Sequence, residues 1–251
     1  MRSAFYGILS VLVFSINTLA QNLVSNPSFE KNTGCPERNG DIKKCTSWST
    51  TALGSTPDYF NTCYTKGKYT GIEIGVPENS EGKRIPVSGD AYVGLAIYFK
   101  KNYYAREYLQ NSLLAPLEKG IKYKISLYIS LSDSSEFISD HISVGFSMMP
   151  GGIMSNPPEI LLTTRYLVTI KNDAALSSRK WTKVEAEYTA GGGEEYMIIG
   201  SFSANMTTNE YKKKIKKPAL NCKNNECAAY YYIDEVALEQ MPSGKINPKF
   251  R

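Results

Sequence analysis

Between Ile121 and Leu131 every second residue is apolar: Ile121, Tyr123, Ile125, Leu127, Ile129 and Leu131 alternate with Lys122, Lys124, Ser126, Tyr128 and Ser130. A period of two puts the first set on one face of a strand and the second on the other. One face is therefore core, and the other is wet or lines a groove. The same alternation recurs at Ile142, Val144, Phe146 and Met148, and at Val184, Ala186 and Tyr188 with Lys183, Glu185 and Glu187 opposite. Gly191, Gly192 and Gly193 precede a further strand over Glu195–Ser203, as a tight connection with positive φ requires. No heptad or long helical period is present, so the expected class is all-β, a sandwich of half-buried strands in a single domain.

The last such segment is Tyr230–Leu238, YYYIDEVAL. Tyr231 and Ile233 share one parity while Val236 and Leu238 share the other, which predicts a bulge near Asp234 and Glu235. A bulge there turns a carboxylate out of the regular pleat.

The first twenty residues read as an export signal and are set aside from the fold. Arg2 is the positive n-region, Phe5–Phe14 the apolar stretch, and Thr18, Leu19 and Ala20 the small-residue cleavage site before Gln21. Ser15 and Asn17 interrupt the apolar run well short of the roughly 20 residues a spanning helix needs. The expected organisation is a signal peptide over 1–20, one β domain over 21–240 and a polar tail over 241–251, in an exported protein of the periplasm, the outer-membrane surface or the extracellular space. A formal charge of +5 is mild, and no concentrated basic footprint argues for nucleic acid. The run Lys212, Lys213, Lys214, Lys216, Lys217 reads as solvated, with an anionic surface as the sharper alternative.

Five cysteines stand at 35, 45, 63, 222 and 227, and in an exported chain they read first as disulfides. Cys222 and Cys227 are close enough in sequence to form a small staple. Cys35 with Cys63 is the preferred second bridge, leaving Cys45 free, with Cys35–Cys45 as its competitor. Zinc is disfavoured because there is no Cys-x-x-Cys pair and only one histidine.

Two segments carry a resemblance: NLVSNPSFE at Asn22–Glu30 and YYYIDEVAL at Tyr230–Leu238 resemble the first and last strands of galactose-binding-like jelly rolls. A longer order of motifs runs through Cys35-Pro36, Trp48, DYFNTC at Asp58–Cys63, VPEN at Val76–Asn79, GDAYVGL at Gly89–Leu95, REYLQ at Arg106–Gln110, SLSDSS at Ser130–Ser135 and GGGEEYMIIGSF ending at Phe202. This order is similar to a secreted Bacteroidetes domain that often precedes outer-membrane-protein-A-like domains. The likeness stops at Leu238, so the activity of such a following domain is not implied. What it does imply is a jelly-roll β-sandwich, a non-catalytic role in binding carbohydrate or an envelope polymer, and a structural calcium held by Glu30 and Asp234. Calcium takes several oxygen ligands, carboxylates and backbone carbonyls among them, which suits that pair.

Candidate ligand residues fall in two patches. Arg106, Tyr108 and Gln110 share a parity and combine an aromatic ring with donors suited to sugar hydroxyls. Asp58, Tyr59 and Asn61 form the second, beside Cys63. In each case the alternative is packing within the sheet or a stapled turn. A structural or adhesive role binding another envelope protein is the second function class, and a glycoside hydrolase the third. The last needs two carboxylates about 5–10 Å apart, and Glu107, Asp133, Glu136 and Asp140 are not paired by anything in the sequence. His141 is the only base for a Ser-His-Asp arrangement, and no Gly-x-Ser-x-Gly elbow accompanies it.

Overall fold

A computed structural model describes residues 21–51, 54–65, 73–99, 106–151, 166–202, 213–214 and 228–242. The export signal, the Cys222–Cys227 staple and all but two backbone positions of the lysine run lie outside the described residues.

In chain order the strands are β1 (Trp48–Ser49), β2 (Asp58–Asn61), β3 (Glu78–Asn79), β4 (Gly82–Lys83), β5 (Ala91–Phe99), β6 (Leu109–Ser112) and β7 (Lys122–Leu131). They continue with β8 (Phe137–Ile138), β9 (Ile142–Ser147), β10 (Leu167–Ile170), β11 (Thr182–Thr189), β12 (Tyr196–Gly200), β13 (Lys213–Lys214) and β14 (Ala228–Gln240). One five-stranded sheet has the order β1-β6-β12-β9-β10 and the other β11-β7-β14-β5-β2, with every pairing antiparallel. From β5 onward the chain passes repeatedly from one sheet to the other, so neighbours in a sheet are seldom neighbours in sequence. This is a jelly-roll β-sandwich.

The core lies between the sheets. Val93, Leu95 and Ile97 of β5, Ile125, Leu127 and Ile129 of β7, and Tyr231 and Ile233 of β14 face Leu109 of β6, Val144 and Phe146 of β9, and Met197 and Ile199 of β12. Phe146 and Tyr188 stack across the layers at 4.2 Å and 16°. The alternation read at Ile121–Leu131 is the buried face of β7. Met148, expected to continue β9, is exposed, because the strand ends at Ser147.

The expected bulge is present: the pairing of β14 with β7 shifts between Asp234 and Ala237, and Glu235 takes φ +49°. The connection before β12 has Gly192 and Gly193 at φ +100° and +89°, a region open to glycine at no steric cost. Its turn is closed by the buried Glu194, whose carboxylate accepts from Gly191 N, Gly192 N and Tyr188 Oη at 2.6, 2.8 and 2.6 Å.

The segment Asn22–Glu30 does not form a regular first strand. Its strand pairing is limited to isolated bridges, Asn22 with Glu239 and Val24 with Leu113. The reason is local: Asn26 and Phe29 have φ of +55° and +63°, which break regular strand pairing, and Pro27 lacks a ladder donor. Its residues still anchor the edge. Asn22 Oδ1 accepts from Leu238 N at 3.0 Å, and Trp48 Nε1 donates to Asn26 O at 2.8 Å.

Cys35 and Cys63 form a disulfide with Cα atoms 5.7 Å apart, and Cys45 is free and buried. The competing Cys35–Cys45 bridge is excluded, since Cys45 Sγ lies 3.4 Å from Asn26 Nδ2 and 3.7 Å from Phe29 O. A disulfide fits an oxidising compartment. No helix among the described residues is long and apolar enough to cross a membrane, which says nothing of β-barrels.

Candidate functional site

The segments that carry the two expected patches are joined through the residues that precede Asp58. Tyr108 N donates to Ser55 Oγ at 2.9 Å, Thr56 Oγ1 donates to Glu107 Oε1 at 3.0 Å, and Gln110 Nε2 donates to Ser49 Oγ at 3.3 Å. All six predicted side chains are buried, with Arg106, Tyr108, Gln110, Asp58, Tyr59 and Asn61 each no more than 6% exposed. Arg106 Nη1 and Tyr108 Oη both donate to Ser201 O, at 2.8 and 3.0 Å, and Gln110 Oε1 accepts from Gly151 N at 2.7 Å. Tyr59 Oη donates to Phe29 O at 3.0 Å, and Asn61 bridges Tyr59 Oη and Cys63 N. The shared parity of Arg106, Tyr108 and Gln110 was legible; that their polar atoms would be turned to backbone was not, because Ser201 and Gly151 are far away in sequence.

Asp58 and Glu107 form a buried acid pair. Asp58 accepts from Gly40 N at 2.7 Å and Tyr230 Oη at 2.6 Å, and Glu107 Oε2 accepts from Ala96 N at 2.8 Å. Burial pushes Asp58 up to about 7 and, helped by the charge of Asp58, Glu107 up to about 8. Near neutrality the pair therefore holds protons, as two carboxyls that cannot both ionise cheaply must. Folded pKa values above the unfolded ones mean that the folded state binds more protons between about pH 4 and pH 8. This contribution is fully present below that window and is lost as pH rises through it. We expect the unfolding free energy in urea to fall by several kcal/mol as pH rises across the window, and Asp58→Asn to flatten the slope. A wild-type slope identical to that of Asp58→Asn would dismiss the pair.

A second carboxylate group sits where the Asn22–Glu30 segment meets β14. Glu30 accepts from Asp90 N at 3.0 Å and Ala91 N at 3.1 Å, and Asp234 accepts from Val87 N and Glu235 N, each at 2.8 Å. Ser88 Oγ donates to Glu235. Burial raises both carboxyls, Asp234 to about 7, and the neighbouring charge of Glu235 adds to each. Among the described residues, none of Glu30, Asp90, Asp234 and Glu235 forms an ion pair with Lys, Arg or His. No three His, Cys, Asp or Glu side chains among the described residues group closely enough to hold a metal by themselves. A cation here would lean on two carboxylates and the carbonyls of the segments they tie together, a donor set hard cations accept.

The outer face of the sheet β11-β7-β14-β5-β2 is aromatic. Reading across the registers, Asp58, Gly94, Tyr232 and Ser130 form one row, and Asp234, Tyr128 and Lys183 fall in another. Phe60, Tyr92, Tyr230 and Tyr232 cluster with ring separations of 5.1–5.9 Å. The segment carrying the β3–β4 hairpin covers this half. Asn79 joins the hydroxyls of Tyr92 and Tyr232, both at 2.8 Å, and Ile85 O accepts from Trp181 Nε1 at 2.6 Å. Toward β11 the covering ends. Trp181 and Tyr128 are half-buried there, with Lys124, Lys183 and Glu185 linked by ion pairs of 2.8 and 2.9 Å beside them. Tyr128 stood on the non-core face of the alternation at Ile121–Leu131; Trp181 had no sequence signal, since it precedes β11 and its parity depends on the register with β7.

His141 lies between Asp140 Oδ1 at 2.5 Å from Nδ1 and Ser201 Oγ at 3.3 Å from Nε2. The order is that of a Ser-His-Asp relay, but Ser201 is 0% exposed and its carbonyl anchors Arg106 and Tyr108.

No protein-family model matches the chain, and no curated protein is similar to it in sequence. Solved structures do match. The tandem CBM22-1-CBM22-2 domain of Paenibacillus barcinonensis Xyn10C is 14% identical over 94% of this chain and 50% of that one, with a TM-score of 0.46. Arabinose-bound MgGH51 α-L-arabinofuranosidase is 10% identical over 88% of this chain and 27% of that one, at 0.45. TmCBM61 in complex with β-1,4-galactotriose is 10% identical over 88% of this chain and 100% of that one, at 0.37. The chain spans 21–50% of the length of the first four such structures. At these identities and scores the likenesses assign neither ligand nor site to this jelly roll.

Proposed function

We propose that this protein is a non-catalytic, exported carbohydrate-binding module whose ligand lies on the open half of the outer sheet face, over Trp181 and Tyr128. The observation that carries this reading is the presence of two half-buried rings, Trp181 and Tyr128, with flanking charged side chains at the uncovered edge of the outer sheet face. Rings cover the apolar C–H faces of a sugar, and the exposed Lys183 and Glu185 supply donors and acceptors for its hydroxyls. The buried Arg106, Tyr108 and Asp58 patches brace that sheet and its neighbour. Glu30 and Asp234 are the proposed calcium ligands, with Asp90 and Glu235 as the surrounding charge. The cleaved leader before Gln21, one domain over 21–240, and a source among secreted Bacteroidetes domains belong to the same reading.

The test is retention of the protein by insoluble polysaccharides and peptidoglycan, with calcium and with a chelator. Trp181→Ala and Tyr128→Ala are each expected to weaken retention roughly five- to thirtyfold, as stacking contacts of about 1–2 kcal/mol would. Calcium at about a hundred times its dissociation constant should add close to 2.7 kcal/mol of stability, an increment that Glu30→Gln removes. Retention by no polysaccharide, with the fold intact, would move the protein to the adhesive class, bound to another envelope protein.

A further inference from the structure

Beside Trp181, two arginines share one carboxylate. Arg84 Nη2 lies 3.4 Å from Asp133 Oδ1 and donates to Leu131 O at 3.2 Å, and Arg179 Nε lies 3.7 Å from the same Oδ1, too far for a hydrogen bond. Asp133 Oδ2 is already taken by Lys83 N at 3.0 Å. Lys83 Nζ is answered by Glu78 at 3.0 Å, and the nearby Glu81 carboxylate accepts from Ser134 Oγ, so what marks the arginine pair is not excess charge but donors left without acceptors. Three N–H positions, Arg84 Nε, Arg179 Nε and Arg179 Nη2, are buried without an acceptor. Leaving such donors unmet is unfavourable by about 1–3 kcal/mol each, more for charged groups.

The pair sits where a ligand on the proposed face would end. Arg84 Cζ stands 5.4 Å from the centre of the Tyr232 ring, and the next residue, Ile85, accepts from the Trp181 indole while its own side chain is 70% exposed. Arg179 is two residues before Trp181, and its side chain is 33% exposed, so an acceptor reaches it from solvent by a rotation of that side chain. A planar acceptor with two oxygens matches a guanidinium fork best.

Resting on the carbohydrate reading above, the geometry points to an acidic saccharide as the ligand: a uronic acid whose carboxylate is held by Arg84 and Arg179 while its ring lies on Trp181.

Affinity electrophoresis in polygalacturonate and in neutral β-1,4-galactan separates the outcomes, with Arg179→Gln as the main variant and Arg84→Gln as the second. Stronger retardation by the polyuronate, reduced about tenfold in Arg179→Gln at an unchanged unfolding midpoint, is the expected result. The loss must persist at 0.5 M salt, where attraction by the surface lysines is screened. Equal retardation by both polymers, or an Arg179→Gln variant that binds like wild type, overturns the acidic specificity and leaves the carbohydrate reading standing. Retardation by neither polymer, combined with no Arg179-dependent binding of free galacturonate in calorimetry, overturns the acidic-saccharide proposal, and the carbohydrate reading is then decided by the polysaccharide panel above. Binding of free galacturonate lost in Arg179→Gln, without retardation by either polymer, keeps the carboxylate site and removes these two polymers as ligands.

Discussion

Gly94→Ala is expected to be among the most destabilising single substitutions in the sandwich, with a loss of about 3–5 kcal/mol in urea unfolding. Gly94 lies mid-strand in β5, opposite Tyr232 on one side and Asp58 on the other. A Cβ added there would meet the Tyr230 hydroxyl head-on, 2.5 Å from Tyr230 Cζ and 2.7 Å from Phe60 Cε2. Neither ring has room to retreat, because both belong to the buried cluster under the β3–β4 segment. Displacing Tyr230 also breaks its 2.6 Å hydrogen bond to the buried Asp58, so overpacking and an unmet polar group add. Tyr230→Phe removes the hydroxyl that the methyl would strike, and a double-mutant cycle should show Gly94→Ala costing clearly less in that background. A Gly94→Ala protein within 0.5 kcal/mol of wild type would mean the sheet and the Tyr230 ring do not approach as closely as described.

The Cys35→Ser, Cys63→Ser double variant carries the other large effect, about 3–4 kcal/mol. The bridge closes a loop with a sequence separation of 28, and cross-linking such a loop restricts the unfolded chain by that amount. It ties the loop after Glu30 to the end of β2, the edge strand of its sheet. Cys45 stays in place as an internal control: burial raises its thiol well above the ordinary range, so it should resist alkylation in the native variant and react only on unfolding. Equal stability of the variant and wild type, or a native Cys45 that labels at once, would overturn the bridge or the buried thiol respectively.

The strands and the bulge were legible because their signals are local. β7, β9 and β11 show period-two alternation that only a two-faced strand explains, and the change of parity between Ile233 and Val236 marks the slip at Asp234–Ala237. The preferred Cys35–Cys63 pairing also stood. Elsewhere local chemistry misled by being incomplete. Arg106, Tyr108 and Gln110 do share a side of the chain, but their partners, Ser201, Gly151 and Ser49, come from other strands and loops.

By itself, then, the chain determined which residues alternate and where the last strand slips, since each depends on neighbours a few residues away, while the choice between Cys63 and Cys45 as the partner of Cys35 was made by the fold. Only the tertiary structure decided which face is covered. The β3–β4 segment closes one half of the aromatic face and leaves Trp181 and Tyr128 at its open edge, with Arg84 and Arg179 around Asp133. That outcome depends on registers between strands distant in sequence, β11 with β7 and β7 with β14, and exposure is a property of what packs on top of a residue, which no local pattern encodes.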